Sequence, residues 1–381
     1  MSRIDPVALT ADLVRCPSVT PAEAGALTLL HERLAAAGFG CTRVPRGGVD
    51  NLYARFGTGA PMLAFAGHTD VVPVGDPADW SADPFGAEVR DGRLIGRGSV
   101  DMKSGVAAFV AAAIAATARL DPARGSVALI VTGDEEGEAA HGTCALLDWM
   151  AAAGERPDFC IVGEPTSRQR LGDTVKIGRR GSMTGRLTVT GTQGHTAYPD
   201  RAENPLPALA RIIARLAATP LDQGSAHFEP TTLALTSIDV GNPANNVIPR
   251  QGRAVFNIRF NDLHTSGSIK AWAAGIVAQE LGSPTLETAL TWQVSGESFL
   301  TQPSGPVEHV VAAVEAVAGV TPELGTGGGT SDARFIKHVC PVVELGLVGR
   351  GMHAVDEAVA VDEIEGLTAI YGAIIDRYFG L

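Results

Sequence analysis

The spacing of apolar positions changes character along this chain. From Pro6 to Gly38 they recur at helical intervals, with a proline near the start and a glycine just past the end, so the spacing predicts one helix over residues 6–38. Beyond it come short, unbroken apolar runs at residues 62–66, 127–131, 159–162 and 342–347. Each is shorter than an ordinary core helix and rich in Val, Ile, Leu or Phe, as a strand buried on both faces should be. Residues 104–120, between the first two runs, predict a helix built mainly of alanine. Such alternation predicts an α/β fold with a mainly parallel sheet.

In the middle of the chain the period falls to two. Met183, Gly185, Leu187 and Val189 alternate with Thr184, Arg186, Thr188 and Thr190, the pattern of a half-buried strand. Asn204-Pro205 supplies a cap and a first-turn proline for a helix to about Ala218. Residues 233–240 predict a second strand, and the alternation of Ala254, Phe256, Ile258 and Phe260 a third. Residues 268–281 predict a second helix and 286–294 a fourth strand. The order βαββαβ is that of a ferredoxin-like α+β unit, inserted into the α/β domain. The expected division assigns 1–179 and 294–381 to the α/β domain and 180–293 to the insertion. Gly327-Gly328-Gly329 reads as a loop.

Composition narrows the partners. Lys and Arg number 30 against 42 Asp and Glu, a formal net charge of −12, so the chain lacks the basic excess that a nucleic-acid binder needs. Residues 106–118 form an apolar stretch too short to span a bilayer. Met1-Ser2-Arg3-Ile4-Asp5-Pro6 has no apolar signal core, and the expected compartment is the cytoplasm. The five cysteines are odd in number and never in C-x-x-C spacing, and read as reduced core thiols.

The chemistry lies just after the buried runs. They are followed by Gly67-His68-Thr69-Asp70, by Thr132-Gly133-Asp134-Glu135-Glu136-Gly137, by Gly163-Glu164-Pro165-Thr166 and, within a few residues, by Met352-His353. Any one of these alone reads as a turn, a solvated acidic loop or a surface histidine. In an open parallel sheet, however, the carboxyl ends of the strands share one edge, where ligands bind. Two histidines and several carboxylates should therefore converge there, joined by Asp101 ahead of the alanine-rich helix. Mixed imidazole and carboxylate ligands suit zinc and neighbouring divalent metals. Five ligands exceed the needs of one tetrahedral zinc but can serve two ions about 3.5–4 Å apart through a bridging carboxylate, for which Asp101 is the candidate. In the Glu135-Glu136 pair, one acid can bind metal while the other stays free to accept a proton. Separately, Arg168, Arg170, Lys176, Arg179, Arg180 and Arg186 stand against Asp173 alone in residues 168–186. That run reads either as a solvated face or as a site for a substrate carboxylate.

Gly67-His68-Thr69-Asp70-Val71-Val72-Pro73, Gly96-Arg97-Gly98 with Asp101-Met102-Lys103, Asp134-Glu135-Glu136-Gly137 and Gly163-Glu164-Pro165-Thr166 resemble the dinuclear zinc aminoacylase and carboxypeptidase family over nearly the whole chain. Gly178-Arg179-Arg180-Gly181-Ser182, Gly194-His195-Thr196-Ala197-Tyr198-Pro199, Ala202-Glu203-Asn204-Pro205, Asn245-Asn246-Val247-Ile248-Pro249 and the run from Gly328 to Phe335 resemble a branch of it acting on dicarboxylate amides.

The resemblance implies a zinc-exopeptidase-like catalytic domain with an inserted dimerisation domain, and two zinc ions per subunit that cobalt can replace. His68 and Glu164 would bind one ion, Glu136 and His353 the other, and Asp101 both. Glu135 would be the general base and later the acid, and Asp70 would orient His68. The Asp101-Met102 bond would be cis. In a homodimer, His195 would reach the partner's active site and stabilise the carbonyl oxyanion. Arg179 and Arg259, with Tyr198, Asn245 and Thr330, would hold a small dicarboxylate amide, with Ser182 and Lys176 as further candidates. One departure stands out. Such relatives often carry Asn-Ala-Thr-Ile-His, whereas here the run is Gly349-Arg350-Gly351-Met352-His353, which removes a polar contact at position 349. A deacylase for acetylated amino acids or a peptidase of the same fold is the nearest alternative. A non-catalytic metal-binding protein is the remoter one, and has no use for a free Glu135 beside five ligands.

Overall fold

The computed structural model describes residues 4–381, so Met1, Ser2 and Arg3 of the N-terminal reading lie outside the described residues. The chain forms two compact units. One comprises the residues up to Ile177 with Thr301–Gly325 and Ser331–Leu381; the other comprises Gly178–Leu300 and Thr326–Thr330.

The first unit is built on an eight-stranded sheet. Four strands at its centre are β1 (Met62–His68), β2 (Ser126–Thr132), β3 (Phe159–Val162) and β4 (Val342–Glu344). They lie in the spatial order β2, β1, β3, β4 and all run parallel. Every residue in them is buried, which is why their sequences are continuously apolar rather than alternating. Leu52–Phe56 joins β2 and Thr174–Lys176 joins β4, both antiparallel, so the sheet is parallel at its centre and mixed toward its edges. The helix Lys103–Ala116 is buried at all but one position. Alanine is what such a helix requires, because only a thin side chain lets neighbours close in on every face. Phe109 from this helix stacks on Phe65 of β1 at 5.6 Å between ring centroids, and Tyr371 meets Phe65 edge-on at 5.2 Å. Tyr371 donates its hydroxyl to the Leu345 carbonyl at 2.6 Å.

The single helix expected over 6–38 is two helices, Pro6–Val14 and Ala26–Ala36. Pro17 and Pro21 lie between them, and proline offers no N–H for a continuing helix. The broken segment runs alongside the end of β1 instead: Val71 donates to the Ser18 carbonyl at 2.9 Å and Thr20 to the Val71 carbonyl at 3.2 Å.

The second unit has a four-stranded antiparallel sheet in the order Thr232–Asp239, Gln251–Phe260, Gly181–Thr190, Glu287–Gly296. With helices Leu206–Ala218 and Ser266–Glu280 this is the ferredoxin-like order, in which the first and third strands pair at the centre. Met183, Leu187, Phe256, Ile258, Ile212 and Ala273 are among its core residues. Gly185 falls on an inward position because a Cβ there would come 2.5 Å from Phe256 Cζ, across the register pair. Among the described residues no helix is long and apolar enough to cross a membrane.

Phe65 is wholly buried at the centre of the main sheet. Phe65→Ala is expected to cost about 3–5 kcal/mol of stability, measured by denaturant titration. A loss below 1 kcal/mol would show that the aromatic cluster is not integral to the core.

Candidate metal centre

Each candidate ligand sits next to, or on a loop leading from, a buried element. His68 is the last residue of β1, and Glu164 lies two residues beyond β3. Glu135 and Glu136 follow β2. Asp101 precedes the buried helix across an Asp101-Met102 bond that is cis, and His353 follows β4 in a left-handed backbone conformation (φ 61°). Gly163 is required at the end of β3 because a Cβ there would come 2.9 Å from Met102 Cε and 3.2 Å from Tyr371 Oη.

The five expected ligands converge. His68 Nε2 lies 3.3 Å from Asp101 Oδ1 and 3.9 Å from Glu164 Oε1. His353 Nε2 lies 3.4 Å from Asp101 Oδ2 and 2.8 Å from Glu136 Oε1. The two oxygens of Asp101 thus face two different imidazoles. Ligand atoms of His68, Glu135 and Glu164 fall within 4.8 Å of one another, as do those of His68, Asp101 and Glu136. His68 Nε2 and Asp101 Oδ1 are buried and have no hydrogen-bonding partner among the described residues, although they stand 3.3 Å apart. A buried, unpartnered donor–acceptor set costs free energy unless something else satisfies it. Imidazole nitrogens and carboxylate oxygens so arranged fit divalent cations of the zinc type.

The electrostatics say the same. Burial pushes Glu135 up to about 8, against the pull of His68 and with further help from Asp332 and Glu136. Glu164 is driven well above the usual carboxylate range by burial, then by Asp101 and Glu135. Burial also raises Glu136. Burial would raise Asp101 too, but His353 and His68 outweigh it and hold Asp101 below its ordinary value. Burial works against protonated His68, yet Asp101, Asp70 and Glu164 lift it well above normal. His353 is raised to about 9, chiefly by Asp101. Acids packed this closely retain protons that a dication displaces.

Asp70 meets His68 through its main chain and the glutamates through its side chain. His68 Nδ1 is held by the Asp70 backbone carbonyl at 2.9 Å, while the nearest carboxylate oxygen is 3.6 Å away. The carboxylate instead accepts the backbone N–H of Glu135 at 3.2 Å, that of Glu136 at 3.1 Å and the Thr20 hydroxyl at 2.7 Å. One buried acid therefore fixes the imidazole through its main chain and the two glutamates through its side chain. Thr20 had no signature in the sequence. Asp332, in the run from Gly328 to Phe335, is buried, pushed up to about 6 by that burial despite the Thr143 hydroxyl, and accepts that hydroxyl at 2.6 Å. At position 349 the missing side chain leaves no gap, since a Cβ on Gly349 would meet Met352 Cε at 3.0 Å and the Pro165 carbonyl at 3.2 Å.

All the candidate ligands belong to the first unit, and the residues expected to touch substrate, Lys176 apart, belong to the second. His195 is exposed on a two-residue strand paired with Val247–Ile248, and its Nδ1 accepts the Ala197 N–H at 3.0 Å. Its ring meets Tyr198 edge-on at 5.8 Å, and Thr196 donates to the Asn246 carbonyl, which brings Asn245 to the same loop cluster. Arg179 is buried and donates to the Gly329 carbonyl at 2.6 Å, next to Thr330. Arg259 lies opposite Ser182 in the sheet; burial and then neighbouring Arg180 press its pKa below the ordinary value. Lys176 is half-buried and lies in the first unit.

The sequence model of peptidase family M20/M25/M40 matches residues 64–377, and the chain belongs to this family. Among curated relatives it is 59% identical over 380 residues to a succinyl-diaminopimelate desuccinylase of Rhodospirillum centenum, covering 98% of this chain and 97% of that one. A desuccinylase of Cereibacter sphaeroides is 59% identical over 99% of both chains. The crystal structure of an aminopeptidase from Bacillus cereus shares the fold, with a TM-score of 0.77 at 20% identity over 99% of this chain and 100% of that one.

Because Glu135, Glu136 and Glu164 are all raised, cation uptake by chelator-stripped protein at pH 7 should release protons, and apparent affinity should climb as pH rises through neutrality. Calorimetry in two buffers of different ionisation enthalpy reads this directly. Identical heats in both would refute it.

Proposed function

We infer that this chain is a two-metal amidohydrolase that cleaves N-succinyl-LL-2,6-diaminopimelate to succinate and LL-2,6-diaminopimelate, a step in lysine and cell-wall diaminopimelate synthesis. The observation that carries the chemistry is Asp101, with one oxygen toward His68 and the other toward His353. Full-length identity to desuccinylases supports the substrate.

His68 and Glu164 would hold one zinc and Glu136 and His353 the other, with Asp101 shared; cobalt is the expected substitute. Such cations supply Lewis acidity and concentrated positive charge at the scissile amide. Glu135 takes a proton from the attacking water and gives it to the amine nitrogen as the C–N bond breaks. Burial raises its proton affinity toward neutrality, where one group serves both steps. Asp70 holds the backbone of base and ligand together, so neither drifts relative to the other. Arg179 and Arg259 present planar forks to the substrate carboxylates, with Tyr198, Asn245 and Thr330 beside them. Arg180 beside Arg259 concentrates positive charge here, which supports an anion site in this unit.

The working form is a homodimer in which His195 of the partner subunit donates to the carbonyl oxygen as charge develops there. Leu235 and Ile238, 39% and 53% exposed on an edge strand of the second unit, support an interface on that unit. Five free cysteines and a small polar substrate support a cytoplasmic location.

A substrate panel tests the reading. The succinyl compound should be hydrolysed in preference to N-acetylornithine and to dipeptides. Preference for the acetyl group would reassign the substrate and keep the mechanism; tight zinc binding without any turnover would favour a non-catalytic protein. Glu135→Ala should keep its metal content and lose about 10²–10⁴-fold in kcat. His195→Ala should lose about 10²–10³-fold in kcat with metal unchanged; an unaltered kcat would remove His195 from the mechanism.

A further inference from the structure

Arg97 and Glu357 are 2% and 1% exposed, and form an ion pair of 2.7 Å between Nη1 and Oε2. Neither belongs to the ligand set, yet their remaining contacts, which include Arg97 Nη2 to the Pro73 carbonyl at 3.4 Å, reach the main chain of two ligands. The Glu357 carboxylate accepts the backbone N–H groups of Gly98 at 3.1 Å, Val100 at 2.8 Å and Asp101 at 3.1 Å. The Arg97 guanidinium donates to the His353 carbonyl at 3.3 Å and the Ala354 carbonyl at 3.1 Å. Its outer face lies over Trp80, 5.2 Å from the ring centroid. The pair is thus a two-ended brace, with Asp101 at one end and His353 at the other.

The ligands differ in how much they need a brace. His68 ends a strand paired on both sides along most of its length and is itself in register with Thr132, and Glu164 lies two residues past a strand that is also paired on both sides. Their positions follow from the sheet. His353 sits on a loop in a left-handed conformation that non-glycine residues seldom adopt, with its side chain half exposed. Outside its contacts with Asp101 and Glu136, what fixes it is its own main chain, which Arg97 grips.

We propose that the buried Arg97–Glu357 pair is a positioning device that sets the separation of Asp101 and His353, and so governs cation binding on the His353–Glu136 side of the centre while leaving the His68–Glu164 side to the sheet. This rests on the two-cation reading above. Arg97 and Glu357 touch neither substrate nor cation; they act through the two ligands.

The test is stepwise titration of chelator-stripped protein with Co²⁺, followed by visible absorption, together with zinc per chain after dialysis against buffered zinc. The variants are Glu357→Gln and the double variant Arg97→Gln/Glu357→Gln, which leaves no lone buried charge to unfold the protein. Wild type should bind two equivalents. Both variants should bind the first with affinity within about twofold of wild type and the second at least tenfold more weakly, with the absorption of the second step diminished. Glu357→Asp, which keeps the charge, should restore part of the second step. Two wild-type steps in the double variant would overturn the inference, as would equal weakening of both steps, the mark of a general structural role. A wild-type chain that binds only one equivalent would instead overturn the two-cation reading, and this inference with it.

Discussion

Packing acids together in a water-poor place is the constraint from which the structure of the centre follows. Two like charges 4 Å apart repel by about 4 kcal/mol at an effective dielectric near 20. Asp101, Glu135, Glu136 and Glu164 bear on one another electrostatically; burial raises the proton affinity of three of them, and imidazoles beside the fourth lower its own. That arrangement persists only if the backbone cannot relax to let the carboxylates part. Four wholly buried parallel strands supply the rigidity, and two buried acids, Asp70 and Glu357, tie the intervening loops by their N–H groups.

The same constraint divides the centre into two halves of unequal stiffness. On the His68 side, ligands issue straight from the sheet. On the His353 side, a loop after β4, held by Arg97 at the His353 carbonyl, carries the imidazole to 3.4 Å from Asp101. The alanine-rich helix behind Asp101 has a matching role. Being buried almost throughout, it can neither tilt nor slide without opening voids, so the acid at its head is fixed by packing as well as by hydrogen bonds.

Much of this was legible along the chain. Strands buried on both faces leave unbroken apolar runs, and β1 to β4 stand where those runs are. The polar residues just past them form the site because parallel strands end on one edge. The alternation that yields a ferredoxin-like order in the second unit was equally open, since a half-exposed sheet writes its faces into the sequence with period two. The apolar spacing over 6–38 stays helical through a segment that Pro17 and Pro21 divert toward β1, so one predicted helix becomes two. A periodic count registers side chains but not missing N–H groups.

Local pattern determined which segments are buried, where the chemistry-bearing residues fall and which types of group meet. It could not determine what the carboxylates of Asp70 and Glu357 would bind, nor that Arg97 would join a partner 260 positions away. Apart from that ion pair and the Thr20 hydroxyl, these contacts are made to backbone N–H and carbonyl groups, which nearly every residue carries and no sequence distinguishes. Only the folded chain decides which of them an inward-pointing acid or guanidinium can reach.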